Sequence, residues 1–222
     1  MSLIHTNGLE REYFNGENSF LALKDITLSI EAGEIVSILG PSGCGKSTLL
    51  NCLSGIDTPT SGDVFINEKH LNRMKDMEKT EFRAGNMGFV FQFFNLIPVL
   101  NASENVELAL LAQREKIPDT KNRSDRMLEL VGLGNRKRHY PAQLSGGERQ
   151  RVSIARALIH NPKIVWADEP TGALDTETGA RIMDLILKLN REKGQTFVIV
   201  THDERIARFS NRIMRMDSGR II

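Results

Sequence analysis

The segment EIVSILGPSGCGKST, residues 34–48, constrains this chain more than any other stretch. EIVSILG is short, β-branched and apolar at consecutive positions, which suits a strand covered on both faces. It runs straight into Gly40, Gly45, Lys46 and Ser47 in the G-x-x-x-x-G-K-[ST] spacing, and STLLNCLSG behind them reads as a helix. A strand, a glycine-rich turn and a helix in that order aim backbone N–H groups inward, forming an anion nest at a helix N-terminus. The pattern sets Lys46 on the β- and γ-phosphates of a nucleotide and the Ser47 hydroxyl on Mg²⁺. Gly40, Pro41, Ser42, Gly43, Cys44, Gly45 and Thr48 complete the loop around the phosphates.

Two further runs, KIVWAD (163–168) and TFVIVTH (196–202), have the same fully apolar character and the same helical sequel. Repeated βα order predicts an α/β core with a mainly parallel sheet, of the P-loop NTPase type. Alternation in LALKDITLSI (21–30) and GDVFIN (62–67) predicts half-buried antiparallel strands, hence an N-terminal antiparallel β subdomain. Between residues 86 and 159 the pattern turns helical. ASENVELALLAQREK (102–116), with Ser103 as N-cap, and RSDRMLELVGL (123–133), ending at Gly132, read as amphipathic helices of an inserted α-helical subdomain. The expected division is one domain, with residues 1–85 and 160–222 as core and 86–159 as helical insert.

Bulk properties exclude other classes. The net charge is +1 over 222 residues, without the basic excess of a nucleic-acid binder, and RKRH at 136–139 reads as a solvated turn. No run approaches the ~18 apolar residues of a membrane span, and MSLIHTNGLEREYF lacks the apolar region of a signal peptide. Cys44 and Cys52 lie about 12 Å apart along a helix, too far for a disulfide. The five histidines show no metal-ligand spacing.

Asp168 and Glu169, at the end of KIVWAD, face the P-loop from a neighbouring strand. Asp168 is placed to hold Mg²⁺, and Glu169, beside the metal rather than on it, is the better general base for water attacking a γ-phosphate. His202 ends another buried strand, at the sheet edge where ligands bind, and is read as contacting the γ-phosphate or positioning the water. Asp203 beside it fits surface solvation equally well. Gln92, after GFVF, can accept Mg²⁺ with its amide oxygen and so sense the γ-phosphate. The apolar run behind it, Phe93 to Leu100, is either core or a groove for a partner's helix. Tyr13 and Phe14, placed ahead of the first strands, offer an aromatic face to adenine or pack in the core. Cys44 either contributes only its backbone or is a thiol whose oxidation blocks nucleotide entry.

One motif stands apart. QLSGGERQRVSIARAL (143–158) opens a helix with a glycine turn, as a phosphate site does, yet has no lysine. Taken in order, the P-loop, Gln92, LSGGE, VWADEP, GALD and His202 resemble the ATP-binding subunit of an ABC transporter across nearly the whole chain. PTSG, GFVFQFFNLIP, ASENVEL and ADEPTGALDTETG are similar to the MacB/LolD/FtsE-like subgroup of macrolide exporters, lipoprotein-release ATPases and bacitracin-resistance ATPases. The resemblance implies a homodimer packed head to tail around two Mg-ATP. Ser145, Gly146, Gly147 and Glu148 would then cover the γ-phosphate held by the other chain, and Asp175 would cross the same interface. It favours Tyr13 over Phe14 as the adenine-stacking ring, notes Glu148 where glutamine is common, and makes Gln92 a hinge. It also implies ATP hydrolysis coupled to a transmembrane permease that touches Gln92–Leu100 at the inner face of the cell membrane. The rival is a soluble ABC-type ATPase not tied to transport: one of DNA repair or chromosome structure would need long heptads, which the sequence lacks, and a translation factor would carry two cassettes where this has one.

Overall fold

The computed structural model describes residues 2–16, 18–113 and 118–222. It opens with a hairpin of two long strands, β1 (Ser2–Asn15) and β2 (Asn18–Glu31). Strand β3 (Ile35–Leu39) then leads through the glycine loop to α1 (Lys46–Leu53). β4 (Ser61–Ile66), β5 (Lys69–His70) and α2 (Asp76–Asn86) precede β6 (Met87–Phe91). Three helices follow: α3 (Ala102–Leu111), α4 (Thr120–Leu130) and α5 (Gly146–Leu158). β7 (Ile164–Asp168), α6 (Thr176–Lys193), β8 (Thr196–Thr201), α7 (Glu204–Ala207), β9 (Arg212–Asp217) and β10 (Arg220–Ile221) complete the chain.

The strands form two sheets. An antiparallel sheet has the order β2-β1-β4-β5, and a six-stranded sheet has the order β10-β9-β3-β8-β7-β6, parallel but for the β9–β10 hairpin. In the parallel sheet successive residues feed two different cores, as consecutive apolar positions require. Val36, Ile38, Trp166, Val198 and Val200 face α1 and the antiparallel sheet. Ile35, Val165, Ala167, Phe197 and Ile199 face α5, α6 and the helical insert. The spacing in TETGARIMDLILKLNREK (176–193) predicts a helix with Ile182, Leu185, Ile186 and Leu189 on one face, and in α6 Ile182, Ile186 and Leu189 are buried with Leu185 packed beside them.

Four expectations need correction. Met87–Phe91 is the edge strand of the parallel sheet, paired with β7, so the helical insert begins after Phe91 rather than at residue 86. The N-cap of α3 is Asn101, in a capping box with Glu104, while Ser103 sits inside the helix and bonds Ser124 and Asp125. Residues 114–116 of the expected helix lie outside the described residues. Tyr13 and Phe14 do not precede the first strands but belong to β1. Finally, β7 is not the neighbour of β3, because β8 lies between them.

Candidate nucleotide site

The P-loop is built by close packing. A Cβ at Gly40 would meet the Met216 carbonyl oxygen at 2.1 Å, so the turn leaves β3 only with glycine there. Gly45, at φ 106°, caps α1 in a conformation that side chains rarely adopt. The first turn of α1 carries no acidic residue, which leaves its unpaired amides to an outside anion. Lys46 is buried, and its Nζ donates to the Gly40 and Pro41 carbonyls at 2.8 Å each, which draws the ammonium back across the loop. Cys44 is buried in the core cluster beneath the loop, consistent with a backbone contribution alone.

Across the sheet, Ser47 Oγ donates to Asp168 Oδ1 at 3.3 Å even though β8 intervenes. A hydroxyl and a carboxylate oxygen converging this way are the hard donors that Mg²⁺ takes. Burial raises the Asp168 carboxyl above its ordinary range, and the nearby charge of Glu169 adds to this against the opposing Ser47 and Lys46.

Glu169 follows with a left-handed backbone, φ 47°, at a cost of about 1–3 kcal/mol for a non-glycine residue. The surroundings hold it there. Its amide donates to the Val200 carbonyl at 2.9 Å, and the Gly172 amide closes a turn onto its own carbonyl at 3.0 Å. Its Oε1 bonds the His202 amide at 3.1 Å and His202 Nδ1 at 2.6 Å, while Oε2 accepts from the Thr201 hydroxyl at 3.3 Å. His202 is therefore joined to the carboxylate itself. Asp203 instead caps α7 and pairs with Arg205 at 2.7 Å.

Gln92 continues β6 one residue past Phe91, the register partner of Asp168. Its amide packs against Gly172, where a Cβ would come within 2.9 Å of Nε2. The apolar run behind it is divided: Phe93 is 74% and Val99 79% exposed, with Ile97 also exposed, while Leu96 packs against the core. Arg156 on α5 donates to the Phe94 and Asn95 carbonyls, and Arg149 lies over the Phe94 ring at 5.1 Å.

Tyr13, Phe20, Ala22, Gly43, Gly45, Lys46, Ser47 and Thr48 line one cavity of about 180 Å³. A second, of about 320 Å³, shares Phe20, Ala22 and Gly43 and adds Pro41, Ser42 and Cys44. The Tyr13 hydroxyl donates to Asp57 Oδ2 at 2.7 Å, and Arg11 sits 4.4 Å over the ring. Phe14 is largely exposed and lines neither cavity. Phe20, Asp57 and Arg11 escaped sequence reasoning. Phe20 stands opposite Tyr13 because Asn15 pairs with Asn18; an Asn-Gly turn at 15–16 would have set Asn18 there instead.

The lysine-free motif lies elsewhere. Ser145 caps α5 in a capping box: its Oγ accepts from the Glu148 amide at 3.2 Å, and Glu148 Oε2 accepts from the Ser145 amide at 2.8 Å. Arg136, from the basic turn, pairs with Glu148 at 3.0 Å. Ser145, Gly146, Gly147, Glu148 and Asp175, the N-cap of α6, line one cavity of about 690 Å³ that shares no residue with the P-loop cavities.

A P-loop, an acidic pair ending β7 and a second glycine turn on a helical insert define an ATP-binding cassette. The sequence profile of the ABC transporter family matches residues 23–172, and the chain belongs to that family. It is 48% identical over 223 residues to the uncharacterized ABC transporter ATP-binding protein MJ0796 of Methanocaldococcus jannaschii, covering 99% of this chain and 95% of that one. A dimeric structure of that cassette in a post-hydrolysis state, bound to ADP and Pi, superposes with a TM-score of 0.90 at 46% identity, covering 98% and 96% of the two chains. The macrolide export ATP-binding/permease protein MacB of Rhodopirellula baltica is 46% identical over 223 residues, 98% of this chain and 32% of that protein. The structure of cbiO1 from Clostridium perfringens, part of the ABC transporter complex cbiONQ, has a TM-score of 0.88 at 30% identity, covering 100% and 87%. Among the described residues no helix is long and apolar enough to cross a membrane.

Proposed function

We propose that this cassette hydrolyses Mg-ATP between two copies of the chain packed head to tail, and that the cycle drives a transmembrane permease of the MacB-like export or force-transmitting kind. The observation that carries the reading is the chain of contacts from Ser47 to Asp168, and from the adjoining Glu169 to His202. Ser47 and Asp168, with the Gln92 amide, would hold Mg²⁺, which when bound neutralises charge on the β- and γ-phosphate oxygens. Lys46 and the loop from Gly40 to Thr48, through its backbone N–H groups other than at Pro41, which has none, bind the phosphates, and Tyr13 stacks on the base. Glu169 accepts the proton of the attacking water, oriented by His202. Ser145, Gly146 and Gly147 of one copy, with Asp175, cover the γ-phosphate held by the other, so closure adds donors that a separated subunit lacks. The exposed residues between Phe93 and Val99 form the permease contact, and the subunit works at the inner face of the membrane.

Replacing Glu169 by Gln tests this. Turnover should fall at least about a hundredfold, the scale of general-base catalysis, while ATP binding persists and gel filtration in Mg-ATP shows a dimer. Wild-type turnover in the variant would end the general-base reading, and a monomer at saturating Mg-ATP would end the sandwich.

A further inference from the structure

Gln150 lies on α5 just over one helical turn beyond Gly146, at 0% exposure. A glutamine is an expensive group to bury, since each amide atom left without a partner forfeits its hydration. Its Nε2 donates to the Pro170 carbonyl at 2.5 Å, a bond between segments 20 residues apart. Its Oε1, equally buried, has no partner among the described residues. The side chain is thus kept for one donor bond, and that bond ends on the residue after Glu169.

The Pro170 carbonyl is the contact by which α5 grips this turn. The Glu169 amide ties the turn to the sheet at the Val200 carbonyl, the Gly172 amide closes the turn onto the Glu169 carbonyl, and His202 and Thr201 fix the carboxylate. From the helix side the turn is met by Gln150. A left-handed glutamate followed by proline has to be held in place by its surroundings, and Gln150 adds a constraint from the helix. Because α5 starts at the Ser145–Gly147 turn and is rigid over so short a distance, a displacement of that turn is carried to Pro170.

We propose that Gln150 is a positioning residue for the general base: through the Pro170 carbonyl it sets the Glu169 carboxylate in its hydrolytic position and links that position to the Ser145–Gly147 turn. This rests on the reading of Glu169 as the base.

The test uses the full chain with Gln150→Met, which keeps length and volume and removes the donor, and Gln150→Leu as a second variant. Steady-state ATP turnover, ATP affinity and thermal unfolding are measured together, alone and in the Glu169→Gln background. The expected result is a kcat about tenfold lower, within the hundredfold cost of misplacing a reacting group by an ångström, with ATP affinity within about twofold. Tm should shift little, because one carbonyl loses a donor while one unpaired acceptor disappears. In the Glu169→Gln background the residual rate should not fall further, as expected of two residues acting in series. Unchanged kcat in both variants would overturn the proposal. So would a parallel loss of kcat, affinity and Tm, or an additive loss in the double variant, each of which marks a merely structural role. Wild-type turnover in Glu169→Gln alone would strike the base reading itself and is distinguishable from all of these.

Discussion

Tyr13 shows how a side chain in a strand is made into a platform. Asp57 takes two bonds from Arg11, Nε at 2.9 Å and the second nitrogen at 2.9 Å, and a third from the Tyr13 hydroxyl. Burial would raise the Asp57 carboxyl, yet the bonds from Tyr13 and Arg11 prevail and hold it below the usual carboxylate range. With Arg11 over one face of the ring, the proposed stacking on a base would use the other. Asp57→Asn is therefore expected to raise the KM for ATP about fivefold with kcat unchanged, the equivalent of ~1 kcal/mol of aromatic stacking. Tyr13→Ala should match or exceed it. A KM that moves in Tyr13→Ala but not in Asp57→Asn would free the ring from its carboxylate anchor. None of this support was legible in the sequence, because Arg11, Tyr13 and Asp57 meet only after β1 pairs with β4 and the chain returns from α1.

Among the elements, α5 shows what a single atom changes at a helix start. Glutamine at position 148 would preserve the reciprocal cap with Ser145, while glutamate adds the ion pair with Arg136. The Ser145 amide, with help from Arg136, holds the Glu148 carboxyl below its ordinary range. A carboxylate depressed in the folded state contributes stability at neutral pH and loses it as pH falls below the ordinary carboxylate range. Glu148→Gln should then cost less than about 1 kcal/mol, as partly exposed pairs do, and its deficit in thermal unfolding should narrow under acid. A gap that widens as pH falls would contradict the assignment. Elements with one clear period were readable: β3, β7 and β8 from their apolar runs, α6 from its spacing. β1 was not. Its inward set Ile4, Thr6 and Leu9 breaks step at register shifts between Thr6 and Leu9, with Gly8 at φ 56°, so no alternation survives along SLIHTNGLEREYFN. β6 was legible as a strand ahead of Gln92, but its place as the edge strand of the parallel sheet was not, because the stretch that follows it is helical. The motif residues Lys46, Ser47, Asp168, Glu169 and His202 were legible because chemistry fixes their types. Gln150 was not, since its partner is a backbone carbonyl that leaves no trace in composition.

For the whole molecule, the parallel sheet gathers the P-loop, Asp168, Glu169 and His202 at one edge, and the helical insert carries the Ser145 turn into a separate cavity. The two cavities have no residue in common. If each catalytic centre takes one from either copy, damage to the two halves should behave as damage to two genes does. A Lys46→Ala chain keeps a sound Ser145 turn, and a Ser145→Arg chain keeps a sound P-loop. Each should be nearly inactive alone. Mixed in equal amounts, half of the randomly formed dimers would join the two kinds, and each of those would hold one intact centre out of two, giving about a quarter of wild-type turnover. A mixture as silent as its parents does not fit such a division. The geometry thus makes a biochemical lesion recessive or dominant according to which cavity it falls in and which neighbour the chain meets.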